Sequence, residues 1–244
     1  MIVLGIDTAT SSTAVALRLS DATAIERRDD PAAGAHPGHA TRLLQMAEEL
    51  LAEAGTSWSQ IERIAVGAGP GTFTGLRVGI ATARGLAQSL GIPLAPVSSL
   101  RALAHTALAD DTSRAACDGV LAVIDARRGE VFALAHDPDG RELSAARALA
   151  PEDIDGVIAE AGAEATTGWL GVGDGAVRYR SQLEGAGVKV PPNPSPLHLL
   201  SARAICELGA RDGAERASYQ EVLPDYLRRP DAELKLEATA GSGR

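Results

Sequence analysis

The chain has 244 residues, 45% apolar, 23% charged and 3% aromatic, a balance that fits one large or two modest globular domains and excludes a disordered or fibrous chain. A net charge of -9 argues against a protein that holds nucleic acid by itself, because that affinity comes mainly from Lys and Arg neutralising phosphates. No apolar run long enough for a membrane span occurs and no cleavable hydrophobic segment opens the chain, so a cytoplasmic protein is expected.

Three consecutive strands are predicted at the start: Ile2 to Thr8 is a short apolar run, Thr13 to Leu19 alternates with period two, and Ala22 to Arg28 follows a turn. A breaker-rich loop from Pro31 to Gly38 leads to Leu43, Leu44, Ala47, Leu50, Leu51 and Ala54, whose spacing predicts an amphipathic helix from near His39 to Gly55. Arg63 to Gly67 reads as a strand, Gly69 to Gly71 as a tight loop, Thr74 to Leu90 as a helix stopped by Gly91, and Leu94 to Val97 as a strand entering a helix near Ser99. The pattern then restarts. Val120 to Asp125 and Val131 to His136 repeat the Ile-Asp strand end and its hairpin partner, followed by a turn at Asp137 to Gly140, a helix from Pro151 to about Ala161, a strand at Gly168 to Val172 and a helix from about Leu197 to Arg211.

Two βββαβα halves make an α/β protein of duplicated ribonuclease H-like lobes, the plan of the actin, Hsp70 and sugar kinase superfamily (ASKHA). The lobes are expected at residues 1–110 and 111–230, with a disordered tail at 231–244.

In such a fold the first hairpin cradles phosphate, and Asp7, Thr8, Thr10 and Ser11 stand where a nucleotide would be held with a metal-linked water. Equally, Asp7 can simply end a buried strand and accept hydrogen bonds from turn amides. The corresponding turn after Asp125 is Ala126-Arg127-Arg128-Gly129, and one glycine does not bring several backbone amides close to a phosphate. The densest signal is Gly67 to Arg77, a glycine-rich turn containing Gly69, Pro70, Gly71 and Thr72 that runs into a helix N-terminus. No Lys-Ser or Lys-Thr follows it, so it is not a Walker loop. In the helix that follows, Gly75, Gly79, Ala83 and Ala87 fall four apart and leave one face nearly bare. That face serves either internal packing or a subunit contact, the latter favoured by Arg77 and Arg84 at its border. Neither the dispersed histidines nor the cysteines Cys117 and Cys206, expected as buried thiols, form a recognisable metal or nucleophile motif.

The motifs M-I-V-L-G-I-D-T-A-T, H-A-T-R-L-L at 39–44, the glycine-rich run at 67–87, V-I-D-A-R-R-G-E-V-F at 123–132 and P-D-Y-L-R at 224–228 resemble the bacterial TsaB (YeaZ) family. That resemblance implies a role in making threonylcarbamoyladenosine beside the tRNA anticodon. It implies a non-catalytic subunit that dimerises with the related transferase TsaD, with the ATPase TsaE supporting turnover, tRNA met only through the complex, and a homodimer open to the chain alone. The expected partner interface is His39, Arg42, Leu43, Met46, Gly75, Arg77, Val78, Gly79, Ala83 and Arg84. Where TsaD-like sequences carry two metal-binding histidines, Ser99 and Leu103 stand here, so no catalytic residue, metal or tightly bound cofactor is expected in this chain, with ATP and metal used by partner subunits. An actin-like ATPase or kinase with its own nucleotide site is the alternative, and a glycoprotease-type metallopeptidase is disfavoured.

Overall fold

Val3–Asp7 forms β1 with every residue buried, and Thr13–Arg18 (β2) pairs antiparallel to it, Val3 opposite Arg18 and Asp7 opposite Ala14. Ala24–Asp29 (β3) extends the meander as an edge strand, and none of its residues is fully buried. The computed structural model describes residues 1–32, 35–162, 168–211, 213–214 and 217–227. Parallel to β1 runs Arg63–Gly69 (β4), and parallel to β4 runs Leu94–Ser98 (β5), giving a five-stranded sheet in the order β3-β2-β1-β4-β5.

The parallel pairs need crossovers. These are His39–Glu53 (α1), whose buried stripe is His39, Leu43, Met46, Ala47, Leu50 and Leu51, and Phe73–Leu90 (α2), ended by Gly91 in the left-handed conformation at φ 67°.

Ser98 caps Ser99–Ala109 (α3), its side chain accepting from the Arg101 amide, and the short Asp111–Ala115 (α4) leads to the second sheet. There Gly119–Arg127 (β6) and Glu130–His136 (β7) form a hairpin, Arg147–Leu149 (β8) lies antiparallel to β7, and Trp169–Val172 (β9) runs parallel to β6. The order β8-β7-β6-β9 repeats the first sheet without its fifth strand, which is the predicted duplicated ribonuclease H-like plan of the actin type. Ile154–Glu160 (α5) is the crossover between β8 and β9, and Asp174–Arg178 (α6) and Arg180–Gly185 (α7) follow β9.

The final helix departs from expectation. Instead of starting near Leu197 it spans Ala202–Ala210 (α8), because Ser201 caps it by accepting from the Arg203 and Ala204 amides, while Pro196–His198 forms a separate 3-10 turn. It also returns to the first sheet, packing on β1, β2 and β4, so the expected 111–230 lobe loses its last helix to the other lobe. The reason is close approach: a Cβ on Gly5 would meet the Ala202 carbonyl oxygen at 2.6 Å, and Cys206, fully buried, packs its thiol against the Val3 and Ala16 carbonyls. Cys117, by contrast, is only partly buried.

One hydrophobic cluster runs from the first sheet through α3 and α8 to one face of the second sheet, and a smaller cluster of Leu121, Val123, Val131, Ile154, Ile158 and Trp169 covers the other face. Among the described residues no helix is long and apolar enough to cross a membrane. The tail expected to be disordered lies outside them.

Candidate functional site

Asp7 ends β1 at the mouth between the lobes and is 2% exposed. Its Oδ1 accepts from the Ala9 amide at 2.9 Å, while Oδ2 has no partner and lies against Gly67. Burial raises the Asp7 pKa to about 7, opposed by the Ala9 amide and by Arg28. Thr8 turns the other way and donates its hydroxyl to the Gly75 carbonyl at 2.7 Å. Of the four residues expected to hold a nucleotide, the structure therefore places Thr10 and Ser11 on a cavity of about 320 Å³ together with Ser12, Arg28, Asp174 and His198, and turns Asp7 and Thr8 into the first lobe.

The second lobe supplies the opposite wall through Asp174. Asp125 stands near the end of β6 as Asp7 ends β1, but its carboxylate is clamped: Oδ2 accepts from Arg127 Nη1 at 3.0 Å and Arg178 Nη1 at 3.1 Å, and Oδ1 from the Arg127 amide. Asp174 in turn accepts from the Asp125 amide at 3.0 Å, and burial raises its pKa. The β6–β7 turn puts Arg127, Arg128 and Gly129 at φ 65°, 56° and 81°, so two bulky residues occupy left-handed positions where glycines would open a phosphate cradle.

The glycine-rich loop is packed rather than open. The Thr72 amide donates to the Ala9 carbonyl at 2.7 Å, a Cβ on Gly71 would meet that same oxygen at 2.5 Å, and the Asp225 amide donates to the Ala68 carbonyl, tying the C-terminal arm across the loop. An amide engaged by a backbone carbonyl is not free for an anion.

The bare face of α2 is spent on the same hairpin. Cβ atoms at Gly75 and Gly79 would fall well inside 3 Å of the Thr8 carbonyl oxygen and the Thr8 hydroxyl, and Ala83 and Ala87 are fully buried. This corrects the expected interface: His39, Leu43, Met46, Gly75, Gly79 and Ala83 lie inside the chain, with His39 Nδ1 2.9 Å from the Thr13 hydroxyl and its pKa lowered by burial. Arg42, Arg77, Val78 and Arg84 do reach the surface. They share it with residues that spacing alone did not single out. Leu44 on α1 is 44% exposed and Phe73 on α2 is 42% exposed. Phe73 stacks on Tyr226 at 5.3 Å, with the Arg77 guanidinium 3.6 Å from the Phe73 centroid and Arg77 Nε donating to the Tyr226 hydroxyl at 2.9 Å. The P-D-Y-L-R motif was the available signal for Tyr226, and H-A-T-R-L-L for Leu44. Helices α1 and α2 pack side by side, so these groups share one outer layer of the first lobe.

The chain is similar to several known proteins. The sequence profile of the family described as TsaD, tRNA N6-adenosine threonylcarbamoyltransferase, matches residues 31–166. The tRNA threonylcarbamoyladenosine biosynthesis protein TsaB of Escherichia coli (strain K12) is 35% identical over 186 residues, 72% of each chain. An uncharacterised protein of Mycobacterium tuberculosis (strain H37Rv) is 33% identical over 232 residues, covering 94% of this chain and 93% of its own. Among solved structures, YeaZ from Pseudomonas aeruginosa superposes with a TM-score of 0.73 at 30% identity, covering 92% of this chain and all of that one.

Proposed function

Because the chain belongs to the TsaB/YeaZ family, we propose that it serves tRNA threonylcarbamoyladenosine biosynthesis as a non-catalytic subunit that dimerises with TsaD through the outer layer of α1 and α2 and, with TsaE, supports threonylcarbamoyl transfer to the adenosine next to the anticodon. The observation that argues most for a non-catalytic role is Asp125. A carboxylate already bonded to Arg127 and Arg178 has little charge left for a metal-linked phosphate, and the Arg127-Arg128 turn leaves the second cradle closed.

The partner surface rests on exposed apolar and aromatic groups. Phe73 and Tyr226 with Arg77 make a stacked cluster of the kind that anchors protein interfaces, where aromatic and Arg side chains carry most of the energy, and Leu44 is exposed on the neighbouring α1. Light scattering of the chain mixed with TsaD tests this: a one-to-one complex is expected, and Leu44→Glu is expected to weaken it at least about tenfold while leaving the melting temperature of the isolated chain in place. A complex formed equally well by Leu44→Glu and Arg84→Glu would move the partner surface elsewhere.

A further inference from the structure

A second cavity of about 320 Å³ lies away from the cleft, enclosed by α3, the end of β7 with its following turn, and the C-terminal end of α8. Its charged and polar lining is Arg101, His105, Arg114, His136, Asp139 and Arg211. Three guanidiniums line this concavity beside the Asp139 carboxylate, in a chain whose net charge is -9. Guanidiniums gathered in a concave site attract anions.

His136 gives the cavity a built floor. It is 1% exposed, with both ring nitrogens buried. Burial and the Arg101 guanidinium push its pKa down to about 4, the Leu134 carbonyl and Asp137 acting in the opposite direction, so at neutral pH the ring is uncharged and offers one N–H donor.

Arg211 is poised in a different way. Its Nη2 lies 3.1 Å from His105 Nδ1, and His105 Nε2 lies 2.8 Å from Glu207 Oε2, whose pKa the imidazole lowers. The tautomer that satisfies both contacts is neutral, donating to Glu207 and accepting from Arg211, so the guanidinium is positioned by a neutral ring and keeps its charge. Arg101 and Arg114 each touch one acidic side chain, Glu142 at 3.4 Å and Asp111 at 3.2 Å, and both remain about half exposed. The turn from Asp137 to Gly140 closes the site by resting on α3, where a Cβ at Gly140 would meet Leu108 at 3.6 Å.

We propose that this cavity binds a small phosphate-bearing anion, with Arg101 and Arg211 holding its phosphoryl oxygens above the neutral His136 ring. The volume is at the lower end of the range for small-molecule sites, about 300 to 1,000 Å³, which suits a diphosphate or a small phosphorylated metabolite. Arginine pairs recognise phosphoryl oxygens by forked hydrogen bonds. Phosphate chemistry also belongs to an RNA backbone. One feature favours the free anion: the arginines converge on a single concavity of about 320 Å³, the size of a small molecule.

The test is titration of the full-length chain with inorganic pyrophosphate by calorimetry near physiological salt, alongside nitrogen-15 spectra of the histidine rings. The expected result is a dissociation constant below about 1 mM, a shift of the His136 ring resonances that His36 does not show, and at least about tenfold weaker binding by Arg101→Gln and by Arg211→Gln. Arg101 is half exposed, so its variant keeps the fold, and a thermal melt of each variant verifies this. Absence of both heat and His136 shift at about 10 mM pyrophosphate, roughly ten times the weakest affinity expected, would overturn the proposal. So would unchanged affinity in both arginine variants. If instead the two variants weaken tRNA binding by the TsaD-containing complex while pyrophosphate does not bind the chain, the arginines serve an RNA backbone and the small-anion site is refuted.

Discussion

Replacing Gly75 by alanine puts a methyl group where the Thr8 carbonyl oxygen now sits, and the obstacle is backbone in the middle of a hairpin rather than the end of a flexible side chain. The hairpin has little room to retreat, since the Thr72 amide and the Ala9 carbonyl bind it to the glycine-rich loop and the Thr8 hydroxyl is bonded to the Gly75 carbonyl itself. Overpacking in a well-packed interior costs about 1 to 3 kcal/mol, and this contact belongs at the upper end. The strained Thr8–Gly75 hydrogen bond adds about 1 kcal/mol. Alanine returns about 1 kcal/mol through helix propensity, leaving a net loss of about 3 kcal/mol. For a chain of this length that is a drop of roughly 6 to 12 °C in melting temperature. Gly85 supplies an internal control on the same helix: it is exposed and a Cβ there meets nothing within 4 Å, so Gly85→Ala should gain up to about 1 kcal/mol. Urea and thermal unfolding of both variants as isolated chains decide the matter. A Gly75→Ala variant that unfolds with the parent protein, or a Gly85→Ala variant that falls as far as it, would refute the assignment of the stripe to internal packing.

The remaining predictions concern charge. The folded pKa of Asp7, about 7 against an ordinary 3.8, means that the folded chain binds this proton more tightly than the unfolded one; the contribution is fully favourable below about pH 4, is lost as pH rises toward 7, and stays lost above it. Asp7→Asn should remove that slope and stabilise the chain at pH 8 by up to about 4 kcal/mol, and urea titrations at pH 5 and pH 8 that show equal differences from the parent would contradict it. The isolated chain should bind tRNA no more tightly than about 1 μM near 0.15 M salt, since few of its cations are uncompensated, and a submicromolar constant from fluorescence anisotropy would be the contrary result. Asp125 should stay clamped in solution: Arg178→Met leaves its buried carboxylate with Arg127 alone, and is expected to destabilise the second lobe without conferring ATP binding, as thermal melts and calorimetry with ATP and magnesium would show.

The duplicated plan was legible because each half opens with an apolar run ending in Ile-Asp and followed by a hairpin, and both features are local. What those aspartates do was not. Asp7 faces Gly67 and Asp125 meets Arg178, partners fixed by how crossovers return to the sheet and carrying no mark in nearby sequence. The four-residue spacing of Gly75, Gly79 and Ala83 correctly announced a surface of close approach. Spacing says how near a neighbour comes and nothing of which neighbour it is, and here the neighbour is Thr8, 67 residues before Gly75. The start of α8 was misplaced, and its docking on β1 was hidden for a similar reason, since it depends on a glycine at position 5.

The claim that the chain acts through a partner is tested most directly by a reconstituted modification assay, in which threonylcarbamoyl transfer to tRNA is followed with TsaD and TsaE present and this chain added or withheld. The account predicts no transfer by the chain alone, a rise in product of at least about tenfold when it joins its partners, and loss of that rise with Leu44→Glu at concentrations where the parent saturates. Transfer by the isolated chain, or a TsaD and TsaE mixture that works equally well without it, would contradict the account.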